Sequence, residues 1–412
     1  MHLHYRRRGS MYVMVLGCTM LVTVIGLSAL ALTRVERRTA EGTGSLIQAR
    51  LYAMSAIEIG LHRIQNDVDW RTTYPNGVWE TDQPIGTGTY TLMGTDSDGL
   101  PLDNDEMDPL VLTGIGIQGE AVYSLQVTLV AEETPLEALN TCLHAAGEIQ
   151  VKAGDSVTVT GAPLSTNGNL RKDGIVYGDA QAATLSGGGT ITGTATIPAP
   201  PKDFPDPGVL DTYRALATAA PLGITSIEGS VIGPGFTTWG ITNPDGVYYI
   251  DTTGKDISIK ESRIYGTLVV NAPGKKLVLE DPVFIHPARA DYPALIVNGN
   301  VEFKYKSDVT VLSEFTYLTN YNPIGVPYEG ASDPDLGDNY PNEVRGLVHV
   351  FGTITFIESA RVRGVVLAES TVVCDKANEI VHDPALYTNP PMGYTAPPAM
   401  KISPGTWQRV VD

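Results

Sequence analysis

The chain has 412 residues and a formal net charge of −18, from 28 Lys and Arg against 46 Asp and Glu. The first fifty residues hold seven arginines and two glutamates, so the acidic excess lies beyond them. That split excludes nucleic acid as a partner of the body and suits an anionic lipid surface at the start. Gly 43, Pro 28 and only 7% aromatic residues favour turns and short strands over a helical protein. Three cysteines, with no CxxC or Cys/His cluster, exclude a disulfide framework and a zinc site.

The chain opens with "RRRGSMYVMVLGCTMLVTVIGLSALALTRVERR". Met11 to Thr33 carries no charge, which is long enough to cross a bilayer as a helix. Three kinds of signal share these features. A cleaved secretory signal has a shorter apolar core. A lipobox ending at Cys18 needs a polar tether after the cysteine, and here Thr19 to Leu32 stays apolar. Cleavage after Gly9, leaving Ser10 first and the apolar helix in the product, fits the pattern best. The expected boundaries are a basic leader over 1–9, a transmembrane helix over 10–33 and a stalk helix over 34–68. In the stalk, Ile47, Leu51, Met54, Ile57, Leu61 and Ile64 recur at steps of three and four and predict one buried stripe. Gly42 and Gly44 predict a flexible joint, at a cost of about 1 kcal/mol each to helix.

The basic leader, Gly9-Ser10, the retained apolar helix and the alanine-rich "ARLYAMSAIEIGLHRI" resemble the PilX-type minor pilins and the related tip pseudopilins of type II secretion. The resemblance implies leader cleavage at Gly9, other pilin or pseudopilin subunits as partners, and a single-pass bacterial membrane protein with its bulk in the periplasm or at the cell surface. Major pilins carry Glu at the fifth mature residue. Met14 stands there in this chain, which points to a minor component.

Residues 69–136 read as a small pilin-like antiparallel sheet. "GTYTLMGTDSDG" and "DPLVLTGIGIQGEAVYSLQVTLV" alternate apolar and polar residues between glycine turns. The loop between them, "DSDGLPLDNDEMD", places Asp96, Asp98 and Asp103 as candidate calcium ligands, with Asp105 and Asp108 nearby. Gly99 directly follows Asp98, so the loop departs from the EF-hand spacing, and a solvated acidic turn competes with the calcium reading.

From 141 to 373 the sequence is a succession of short Val/Ile/Thr runs between glycines. "VRGLVHV" at Val344 and "VRGVVLA" at Val362 repeat at an offset of 18, the interval one rung of a stacked coil requires. The expected fold class is therefore mainly β with a long N-terminal α-helix: the helix with its small antiparallel sheet, then a parallel, right-handed β-helix solenoid. An antiparallel sandwich is the rival architecture. Inserts are expected at 197–222 and 320–342, the first with a short helical pattern after Val209. Residues 374–412 are Pro-rich and expected to cap the last coil. The texture also resembles β-helical adhesin-like or polymer-forming modules.

No GxSxG, HExxH or Walker element is present, so the chain offers no support for those chemistries. A second acidic loop, "EGASDPDLGDNYPNE", sets Asp333, Asp335 and Asp338 near Glu329. These could hold calcium, line a polysaccharide lyase or glycoside hydrolase site, or face solvent. Tyr248, Tyr249, Tyr317, Tyr321, Asn322 and Tyr328 offer surfaces for a polysaccharide or other surface ligand, or serve as ladder residues. Cys142 and Cys374 are the one pair a fold could join. The combined expectation is a membrane-anchored structural protein, not an enzyme: a minor or tip component of a type IV pilus or type II secretion filament, or a surface-display protein. Its partners are the lipid bilayer and other pilin subunits, and no cofactor is expected beyond structural calcium. The alternative is a membrane-tethered polysaccharide-active enzyme.

Overall fold

The computed structural model describes residues 8–96, 98–305 and 311–411, so most of the expected basic leader lies outside the described residues. The chain forms two compact units, one running to Glu133 and rejoined from Pro398, the other Thr134–Pro397.

The first unit is built on helix α1 (Arg8–Asn66), 59 residues without a break and about 90 Å long at 1.5 Å per residue. Gly42 and Gly44 lie inside it, and a Cβ at either would meet nothing within 4 Å. The expected joint is absent, because the helix is continuous through both. Strands β1 (Gly77–Ile85), β2 (Gly88–Asp96), β3 (Leu110–Gln118) and β4 (Ala121–Glu132) follow as an antiparallel meander. Two further strands, Ala399–Ile402 and Gln408–Val410, pair with β4. From Ala399 on, the tail therefore belongs to the small sheet, while residues 374–397 stay with the second unit. The two added strands cover the outer edge of β4, which would otherwise present unpaired backbone groups, and Met400 joins the first unit's core.

The buried face of α1 follows the expected stripe only in its second half, at Ile57, Leu61 and Ile64. Ala49, Ala53, Ala56 and Ile57 are fully buried and Ile64 nearly so, while Ile47, Leu51 and Met54 are exposed. Small residues win the inner face because α1 packs at backbone contact on β3. A Cβ at Gly114 would stand 2.2 Å from the Ala53 carbonyl oxygen, and one at Gly116 would stand 2.0 Å from that of Ala49.

Among the described residues the second unit holds a 22-stranded sheet in which every pairing is parallel, beside a separate antiparallel pair, Val311–Ser313 with Asn339–Pro341. The 18-residue repeat is in register: Val344 pairs with Val362, Gly346 with Gly364 and Val350 with Ala368. Inward Val, Ile and Leu from successive layers form one core, including Leu143, Leu164, Ile250, Leu268, Leu295 and Val366. The antiparallel sandwich is thereby overturned for this unit.

The layers are not stacked in chain order, as a simple solenoid over 141–373 would require. Leu143–Ala145, where the unit begins, pairs on one side with Leu164–Lys172 and on the other with Arg361–Ala368, near its end. The ladder then runs outward from this seam in two directions. One arm ends at Ala195–Thr196, which pairs with Ala180–Ser186. The other ends at Thr218–Ala219, which pairs with Val247–Asp251. Residues 197–217 join the two arm ends and contain helix α2 (Val209–Leu216), fixed by buried Val209 and Tyr213. Cys142 and Cys374 are both buried and free, so the pair that a fold could have joined is not joined.

Candidate functional site

Three features carry chemistry: the exposed part of α1, the acidic loop between β2 and β3, and the insert that ends near residue 342. The apolar portion of α1 is long and apolar enough to cross a membrane, and its residues from Met11 to Val35 are exposed. Gly9 and Ser10 lie in the first turn of the helix by backbone. Exposed apolar side chains continue beyond the membrane-length stretch, with Ile47 56%, Leu51 54% and Met54 38% exposed. Their spacing of four and three keeps them on one side of the helix, opposite the small residues that meet β3.

The acidic loop is positioned by strand alternation. Along β2 the buried positions are Tyr90, Leu92, Gly94 and Asp96, so period two turns Asp96 toward the core. Asp96 is only 8% exposed, and its Oδ2 has no hydrogen-bond partner among the described residues. Ligand oxygens of Asp96, Asp98 and Asp108 all lie within 4.8 Å of one another. Asp103 is exposed and is not in this group, and Asp108 takes the place expected for it. The Asn104 side-chain amide donates to Asp98 at 3.0 Å and to Asp108 at 3.4 Å. Leu100 N–H donates to Asp98 Oδ1 at 2.8 Å, and Asp98 N–H reaches Asp96 Oδ1 at 3.4 Å.

Arg71 clasps the same loop through its backbone. Its guanidinium donates to the carbonyl oxygens of Leu102 at 3.0 Å, Glu106 at 2.9 Å and Asp108 at 2.8 Å. Partial desolvation, then the like charges of Asp96, Asp105 and Asp98, hold the Asp108 carboxyl above its ordinary pKa.

The insert is held by two buried charges that sequence reasoning missed. Arg263 is fully buried and donates to the carbonyls of Tyr321 at 2.7 Å, Val326 at 2.8 Å and Pro327 at 2.6 Å. Its guanidinium also lies over the rings of Tyr328 and Tyr340, at 5.3 and 5.2 Å. Burial, then Arg263 and Arg345, push His286 down to about 3, so its neutral ring accepts from Arg263 at 3.1 Å. Glu314 is fully buried and accepts from Tyr321 N–H at 2.6 Å, Tyr340 O–H at 2.9 Å and Asp338 N–H at 3.1 Å. Arg263 in "SRIYG" and Glu314 in "VLSEFTY", each set between a serine and an apolar residue within a strand-like run, were the available signals.

Asp333, Asp335 and Asp338 do not converge as one set. Asp333 and Asp338 accept from the Asn322 amide at 3.3 and 2.8 Å. Asp335 is exposed and accepts from Gly337 N–H at 2.8 Å, closing a local turn. Tyr248, Tyr321 and Asn322 are buried, which removes them as stacking surfaces for a sugar and makes them packing residues.

No family model matches the chain, and no curated protein matches it. Among solved structures it is similar to the competence-associated pilin ComZ from Thermus thermophilus, at 12% identity and TM-score 0.28 over 89% of this chain and 98% of that one. It is also similar to a glycosylated ice-binding protein (LeIBP) from an Arctic yeast, at 14% identity and TM-score 0.32 over 61% of this chain and 94% of that one. The ice-binding protein of the Antarctic ascomycete Antarctomyces psychrotrophicus is similar at 14% identity and TM-score 0.24, over 61% and 99%. Scores of this size carry no argument about fold or function.

Proposed function

We propose that the chain is a single-pass, pilin-like structural protein of a bacterium, a minor or tip component of a type IV pilus or type II secretion filament. In this reading α1 is its anchor and the parallel-sheet unit is an elongated β-helix displayed in the periplasm or at the cell surface. The carrying observation is the division of α1 into faces. Small residues meet the sheet, while Ile47, Leu51 and Met54 continue an apolar surface past the membrane-length stretch. Exposed apolar side chains in such a row gain by packing against other helices. Cleavage after Gly9 would leave that helix in the mature product. The protein then works by assembly and binding, not by turnover.

The test has two arms. N-terminal sequencing of the mature protein is expected to begin at Ser10. Replacing Ile47, Leu51 and Met54 together by Gln is expected to abolish co-purification with pilin or secretion subunits while leaving membrane insertion intact. A mature protein lacking residues 11–33, or undiminished co-purification of the triple variant, would refute the assembly role.

A further inference from the structure

We propose that Asp96, Asp98 and Asp108 form a calcium site that ties the loop between β2 and β3 to the edge of the sheet. Acidic residues crowded in a loop are common without an ion; Asp96 sets this loop apart. Strand alternation buries this carboxylate to 8% exposure, and its Oδ2 finds no donor among the described residues. A buried anionic oxygen without a partner is costly, and a hard cation satisfies it as no neutral donor nearby does. The Arg71 guanidinium, which clasps the loop, does not supply the missing contact. The hydrogen bonds of Arg71 go to three backbone carbonyls and to Met400 Sδ, and to none of the three carboxylates.

The donor set suits calcium. Three carboxylates bring ligand oxygens within 4.8 Å of one another, close enough for one hard cation to draw them together. Magnesium demands a near-ideal octahedron and keeps several of its waters, so a site of three carboxylates in a loop suits the more adaptable calcium better. Asp98 and Asp108 lie at the rim, Asp98 exposed and Asp108 half-buried, so water has access to fill the remaining positions. The Asn104 amide, which bridges Asp98 and Asp108, holds the two rim carboxylates on the same side as Asp96.

The experiment uses the full chain in detergent micelles, stripped of metal with EDTA and dialysed. Calcium chloride and magnesium chloride are titrated separately by calorimetry, and terbium luminescence is excited through Trp79, whose ring packs against Gly94 on the same strand. One calcium per chain is expected, bound at least tenfold more tightly than magnesium. Asp98→Asn is expected to weaken calcium at least tenfold and to remove the calcium-dependent rise in Tm, while Asp335→Asn leaves both unchanged. If a variant fails to fold, hydrogen exchange of residues 98–109 in the wild-type chain decides, with added calcium expected to slow it. Absence of saturable calcium binding in the wild type, magnesium binding as tight as calcium, or full binding by the Asp98→Asn/Asp108→Asn double variant would overturn the site.

Discussion

A Cβ placed on Gly116 would stand 2.0 Å from the carbonyl oxygen of Ala49, which fixes how closely α1 can lie on the sheet. The same contact recurs one step along β3, between Gly114 and the Ala53 carbonyl at 2.2 Å. Neither neighbour is a side-chain tip that could swing away, so any larger residue must push the helix off the strand. Gly116→Val is expected to destabilise the first unit by about 3 kcal/mol, the upper range for overpacking a tight site. Gly42→Ala provides the contrast. Its position is open and helical, so the change is expected to stabilise by about 0.5–1 kcal/mol. Denaturant unfolding followed by tryptophan fluorescence measures both, and equal effects of the two substitutions would contradict the packing argument.

Arg263 makes a second prediction, about the insert. Three backbone carbonyls, of Tyr321, Val326 and Pro327, depend on one buried guanidinium. Arg263→Ala leaves them without donors and opens a cavity below Tyr328 and Tyr340, an expected cost of about 3–5 kcal/mol. The local consequence is more diagnostic than the global one. Limited proteolysis is expected to cut the variant within residues 320–342 at protease levels that leave the wild type intact. A variant cut elsewhere first would mean that Arg263 supports the stack and not the insert.

The interval of 18 between Val344 and Val362 was legible because two adjacent layers there have equal length and hydrogen-bond in register. The stacking order was not. The pairing of Val366 with Leu143 joins residues far apart in the sequence, and nothing local in either strand announces its neighbour. The first half of the stripe on α1 was misread for a related reason. Helical periodicity finds faces by size and hydrophobicity, whereas close approach to β3 selects for smallness, so Ala49 and Ala53 went inward and Leu51 outward. At the acidic loop the residue type was visible, but the choice of Asp108 over Asp103 depends on how the loop folds back on Arg71.

The cysteines give a simple chemical readout. Burial, then Asp375 and Asp155, push the Cys374 thiol up to about 12, and burial raises Cys142 as well. The reactive species is the thiolate, so both are expected to resist iodoacetamide at pH 8 in the native protein. Both should label after unfolding in guanidinium chloride without any reductant, since neither is in a disulfide. A mass 2 Da short of the fully reduced chain would contradict this.

Acid should weaken the second unit through its buried imidazoles. His144 is fully buried, with Ser165 Oγ at 3.1 Å from Nδ1 and no partner on Nε2. Burial, then Lys202, lower its pKa to about 4 from an ordinary 6.5. The unfolded chain therefore binds a proton between these values that the folded chain refuses. Stability from this group is complete above about pH 6.5 and drains as pH falls toward 4, by about 2–3 kcal/mol at 1.36 kcal/mol per pH unit. His286, lowered to about 3 by burial and then by Arg263 and Arg345, acts in the same direction over a wider range. Carboxylates add their own acid dependence, so the informative quantity is a difference between variants. Urea unfolding of the wild type and of His144→Gln at pH 7 and pH 4 is expected to show a loss smaller by about 2–3 kcal/mol in the variant. Parallel losses would mean that His144 is protonated in the folded state at pH 4 at little cost.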